Sequence, residues 1–168
     1  TVPDGHAQQF YPGTFAYHLA ERVNISGGNM VTGIDLALPP GSTISGVIYD
    51  QETGEPVPYI SVDAGLIDGE GGIGECTGAD GSYTVRGLIY GNYAVSAGGG
   101  WNHCLNQPGT YVQTFYDGAY FRDEATPVVV DSASPVTGIN IHLVGGGYIS
   151  GTVTQTGGVV LVNGDLNF

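Results

Sequence analysis

The sequence predicts an all-β protein folded as a sandwich. Three observations carry that expectation. Short runs of β-branched and aromatic residues recur along the chain, Gly, Pro, Asn and Asp punctuate them, and the helical period is almost missing. Composition agrees. Apolar residues make up 41% of the 168 residues, enough to build a core, and 30 glycines mark a chain rich in turns.

Taken in order, strands are expected at residues 43–50, 58–64, 83–86, 93–97, 110–116, 128–131 and 138–143. In the second, Ile60, Val62 and Ala64 alternate with Tyr59, Ser61 and Asp63; in the last, Ile139, Ile141 and Leu143 alternate with Asn140 and His142. Such alternation gives each strand one buried and one solvated face, as in an antiparallel sandwich, and puts His142 on an outer face. About seven such strands suggest an immunoglobulin-like Greek-key arrangement. The only helical candidates are a turn or two around residues 17–22 and 122–125. Asp80-Gly81 is a tight-turn pair, and Thr53-Gly54-Glu55-Pro56 is a second turn whose proline fixes φ. Leu88 is expected to plug one end of the sandwich. Tyr93 is expected to bury its ring and to bond its hydroxyl to backbone.

An internal repeat sets the organisation. Phe10-Tyr11-Pro12-Gly13 returns 105 residues later as Phe115-Tyr116-Asp117-Gly118. Val31-Thr32-Gly33-Ile34-Asp35-Leu36 returns as Val136-Thr137-Gly138-Ile139-Asn140-Ile141 at the same offset. Gly41-Ser42-Thr43-Ile44-Ser45-Gly46 likewise returns as Gly146-Gly147-Tyr148-Ile149-Ser150-Gly151. A period of that length fits once into the chain. Residues 41–143 are therefore expected to be one complete unit. Residues 1–40 would carry the closing strands of a preceding unit, and residues 144–168 the opening strands of a following one. The start at Thr1, without Met, reads as a mature or excised piece.

The complete unit opens with Ile44-Ser45-Gly46-Val47 and Asp50, followed by Thr53-Gly54-Glu55-Pro56-Val57-Pro58 and Val62. Thr77-Gly78-Ala79-Asp80-Gly81-Ser82-Tyr83 follows, then Gly87-Leu88 and Gly91-Asn92-Tyr93 with Val95. This set resembles the carboxypeptidase regulatory-like, or transthyretin-like, sandwich repeats of secreted and cell-surface proteins. The resemblance implies a seven-stranded Greek-key sandwich that spaces or presents other domains, and it implies no catalytic residues.

Charge narrows the function classes. Sixteen acidic residues face three basic ones, for a formal net charge of -13. That balance repels polyphosphate and anionic membrane surfaces, which excludes nucleic-acid partners. The basic residues are Arg22, Arg86 and Arg122, so lysine is absent, and Schiff-base and P-loop chemistry go with it. No apolar run approaches the roughly 18 residues of a membrane span. With the acidity and the 11 tyrosines, this suits an extracellular or cell-surface protein.

Cys76 and Cys104 are the only cysteines. They are expected to form a disulfide, which on the loop-entropy model would contribute roughly 3.6 kcal/mol by closing about 29 residues. The rival is a metal site with His103, although adjacent His-Cys ligands point poorly at one tetrahedral centre. Trp101, the single tryptophan, stands beside Asn102 and His103. Exposed, it would stack on a sugar ring or a partner; the expected alternative is an indole folded over the disulfide. Asp63, Asp68, Glu70, Glu75 and Asp80 surround a glycine-rich stretch, and hard oxygen ligands there would suit calcium. Their irregular spacing favours solvated acidic turns. Asn24-Ile25-Ser26 is a glycosylation sequon.

The function expected is that of a non-enzymatic structural repeat without a cofactor. Its partners would be copies of itself or adjacent repeats, met head-to-tail, with the apolar run Val159-Val160-Leu161-Val162 as assembly strand. The alternative is a carbohydrate- or calcium-binding accessory module of a secreted enzyme or adhesin.

Overall fold

A computed structural model describes residues 5–69, 71–147 and 149–151. It is all-β, and its helical turns are three-residue 3-10 segments, Tyr17–Leu19, Tyr116–Gly118 and Arg122–Glu124. The first and last fall within the two stretches expected to turn.

Two sheets share one core. In the first, β1 (Ser42–Asp50) lies between β4 (Ser82–Leu88) and β10 (Ile141–Leu143). In the second, β2 (Ser61–Leu66) and β5 (Gly91–Ala97) lie side by side, with β3 (Gly72–Cys76) on the outer edge of β2. The far edge of β5 is shared by β8 (Thr114–Phe115) and β9 (Val128–Val130). A hairpin of β6 (Trp101–Asn102) and β7 (Gln107–Pro108) stands apart. Ile44, Ile48, Val85, Leu88, Ile141 and Leu143 from the first sheet meet Val62, Ala64, Tyr93, Val95, Val128 and Val130 from the second. Every one of these follows the strand period except Leu88. Its parity is reset because the register with β1 slips at Ser42/Thr43, and Gly87, at φ 75°, takes the extra position. Leu88 is thereby driven into the core at one end.

The pairing of β1 with β10 is parallel, whereas alternation alone suggested an antiparallel sandwich. The chain leaves β9 in one sheet and crosses to the other before β10, so it arrives running in the direction of β1. Before β10 the two segments meet through an interruption. Ile44 bridges Val136, yet Ile48 pairs with Ile141, so one extra residue is accommodated between them. Gly138 takes φ 78°, and Asn140 Oδ1 accepts the Val47 N–H at 2.9 Å in place of a backbone carbonyl. Gly46 lies so close that a Cβ there would stand 2.0 Å from the Ile139 oxygen. The buried Tyr83 hydroxyl donates to that same oxygen at 2.6 Å. Desolvation pushes the Tyr83 pKa well above the usual phenol range.

Three expected strands are shorter than their patterns suggest. Residues 58–60 stay outside β2 because Tyr59 adopts φ 54°. Residues 110–112 bond to Gly99, Val144 and Gly146 instead of extending β8. Residues 138–140 are spent on the interruption beside β1. Within residues 5–40, only the isolated bridges His6↔Pro40 and Phe10↔Thr14 form, rather than strands. The expected assembly strand 159–162 lies outside the described residues.

Candidate functional site

The loop that follows β5 carries the cysteine pair and the tryptophan. Gly98 and Gly99, at φ 79° and 113°, turn the chain out of β5. Cys76, at the end of β3, is joined to Cys104 by a disulfide with a Cα separation of 5.8 Å, so His103 and the two sulfurs form no metal centre. Asn102 is the second anchor. Its Oδ1 accepts from the Ser61 hydroxyl at 3.4 Å and from the Cys104 N–H at 3.0 Å, and its Nδ2 donates to the Tyr59 carbonyl at 2.9 Å. That amide is committed to the scaffold and offers little to a ligand. His103 is fixed through its backbone N–H, which donates to the Ser61 hydroxyl at 3.1 Å. Trp101 departs from the expectation. It is 47% exposed rather than folded over the disulfide, because its neighbour on the other face of β6, Asn102, takes the inward position.

The candidate calcium carboxylates are not drawn together. Asp80 Oδ1 accepts from the Ser82 N–H at 3.1 Å and the Ser82 hydroxyl at 2.7 Å, which lowers its pKa and caps the turn. Glu75 accepts the Cys76 N–H at 3.0 Å. Asp63 and Asp68 are exposed, and Glu70 lies outside the described residues. Among the described residues, no group of three or more His, Cys, Asp or Glu side chains could hold a metal ion. Asn24 is exposed, and Val129, 105 residues on, is the outward residue of β9.

The titratable groups with displaced pKa values have structural work. The Asp50 carboxylate caps its turn by accepting the Thr53 and Glu52 N–H groups, and it also accepts the Tyr111 hydroxyl at 3.0 Å. These bonds, that to Thr53 foremost, lower its pKa. Tyr93 donates to the Ile89 carbonyl at 2.9 Å, as expected for a buried tyrosine beside a turn, and burial pushes its pKa up to about 12. An apolar cleft of about 150 Å³ between Phe10, Phe15, Leu66, Ile73 and Tyr93 is well below the size of ordinary ligand pockets.

The most extensive feature is a pair of matching joints. Where the chain enters the unit, Ala7 N–H donates to Pro39 O at 3.0 Å, and Gly41 N–H to Gly5 O at 2.9 Å. Where it leaves, Val112 N–H donates to Val144 O at 2.9 Å, and Gly146 N–H to Thr110 O at 2.8 Å. The bridges His6↔Pro40 and Tyr111↔Gly145 stand in the same relation. All three pairs are offset by 105 residues. So are the 3-10 turns Tyr17–Leu19 and Arg122–Glu124, whose C-caps Ala20 and Ala125 share φ/ψ of -67°/135° and -64°/134°. At the entry joint the fit is tight: a Cβ on Gly41 would stand 3.0 Å from both Ala7 N and Gly87 Cα, and Ala7 is wholly buried. At the exit joint, Val112 occupies the corresponding place and is exposed. Gly87 precedes β5 and Gly98, which packs against Val112, follows it, so the joints sit at opposite ends of that strand. Its seven residues span about 23 Å.

Among the described residues, no helix is long and apolar enough to cross a membrane. The chain matches no family model, no curated protein and no solved structure.

Proposed function

We propose that the chain is a non-enzymatic structural repeat of an extracellular surface protein or fibre, a transthyretin-like Greek-key sandwich joined to its neighbours through residues 1–40 and 144–168. The observation that carries this reading is the duplication of the joint, bond for bond, at the two poles of one unit. A protein whose two ends present the same contact is built to be continued along a line. The disulfide suits an oxidising compartment. The displaced pKa values belong to turn caps and to tyrosines bonded to carbonyls or a cap, a pattern that supports a scaffold rather than a catalyst.

The test is light scattering and electron microscopy of the full chain beside one lacking residues 147–168. Extended assemblies that disappear on truncation support the reading. Assemblies that persist show that the ends are not the joint.

A second reading, carbohydrate binding, is favoured by one feature: Trp101 is 47% exposed on a loop fixed by the disulfide and by Asn102. Glycan-array binding that is lost in Trp101→Ala would establish it; an array without signal would remove it.

A further inference from the structure

We propose that residues 31–36 take the segment that begins at Ile149 of a second copy as a parallel strand partner, with Val31 opposite Ile149. This rests on the head-to-tail reading above and specifies its contact. The register follows from the complete unit, where Val136 bridges Ile44 and Ile141 pairs with Ile48, all four shifted by the 105-residue period.

Residues 31–36 have the shape and the need. Gly33 takes φ 79° where Gly138 takes 78°, so the backbone already has the irregular conformation found beside β1. Yet Val31, Ile34 and Leu36 are 42%, 41% and 42% exposed, whereas Ile139 and Ile141 are 7% and 2% exposed. The sequence of the partner fits. Gly46 is confined by the Ile139 oxygen, and the equivalent residue of the tail is Gly151. Asn140 accepts the Val47 N–H, and its equivalent, Asp35, carries a carboxylate, likewise an acceptor.

Geometry directs the contact to another molecule. Residues 31–36 lead into the entry joint, whereas residues 149–151 follow the exit joint, about 23 Å away along β5.

Two changes to the full chain test this. Val31→Cys combined with Ile149→Cys should give a ladder of disulfide-linked oligomers on non-reducing gels, and Thr32→Cys with Ile149→Cys should not. Gly151→Val should weaken association by about tenfold or more, because a side chain there meets the partner's backbone. Position 151 lies beyond the complete unit, so the melting temperature of the dissociated chain should not move. A wild-type chain that stays monomeric overturns the proposal, as does a Gly151→Val chain that assembles like wild type. In the latter case, loss of assembly on removing residues 147–168 preserves the head-to-tail reading with another register. Persistence after that removal discards both.

Discussion

Tyr93 and Gly46 show how single positions hold this unit together. The Tyr93 ring is buried and its hydroxyl bonds to Ile89 O, so Tyr93→Phe leaves that carbonyl without its donor and should cost about 1 kcal/mol in urea unfolding at neutral pH. The same hydroxyl has a pH consequence. Its folded pKa of about 12 lies above the phenol value of 10.0, so the protonated form is favoured by folding. That contribution is intact below pH 10 and is lost as pH rises toward 12. Alkaline titration of stability should therefore fall less steeply in Tyr93→Phe than in wild type over that window. Gly46 is constrained by space alone. A Cβ would stand 2.0 Å from the Ile139 oxygen, so Gly46→Ala should cost at least the roughly 1–3 kcal/mol of an overpacked core, read in the same unfolding assay. Gly54 marks the contrast: its added Cβ would meet nothing within 4 Å, and only its φ of 72° opposes a side chain.

Among the elements, the interruption between β1 and β10 is the one whose chemistry can be dissected. Asn140 supplies an acceptor that the backbone cannot, so Asn140→Ala removes the partner of the Val47 N–H and should cost about 0.5–1.5 kcal/mol. Asn140→Asp keeps an oxygen at that place and should cost clearly less; differential scanning calorimetry of the pair separates the two. The sequence itself places an aspartate, Asp35, at the equivalent position. Much of this level was legible beforehand. The strands over 43–50, 83–86 and 93–97 announce themselves by β-branched and aromatic residues between turn signals, and β1, β4 and β5 occupy those places. β3 was not legible, since Gly72-Ile73-Gly74-Glu75-Cys76 has one apolar side chain facing the core and two glycines. The limits of β2, β8 and β10 were set by a left-handed Tyr59, by the exit joint and by Gly138, none of which alternation encodes. The cysteine pair could be read from its even count. The exposure of Trp101 could not, because it depends on which of two neighbours in β6 faces inward.

At the scale of the whole molecule, the backbone bonds made before β1 return 105 residues later, after β10. The entry joint abuts the start of β1, where Ser42 pairs with Leu88, and the exit joint follows the end of β10, where Leu143 pairs with Asp50. Because β1 and β10 run parallel, these two points lie at opposite ends of one strand pair. Tension carried along a line of such units would pull β1 and β10 past each other lengthwise. The bonds Val136 N–H to Thr43 O, Ser45 N–H to Val136 O, Ile139 N–H to Ser45 O and Gln51 N–H to Leu143 O then share the load instead of opening one at a time. Under such tension the unit would act as a shear clamp, its resistance governed by the barrier to unfolding rather than by equilibrium stability. Pulling the chain by its ends in a force spectrometer should give one abrupt rupture, at lower force in Asn140→Ala. The disulfide withholds the 28-residue separation between Cys76 and Cys104 from extension, so reduction should lengthen the released contour by roughly 100 Å at about 3.5 Å per residue. If such units do form an extended array, each intact disulfide would shorten the slack released by one failed unit and keep the strain on its neighbours.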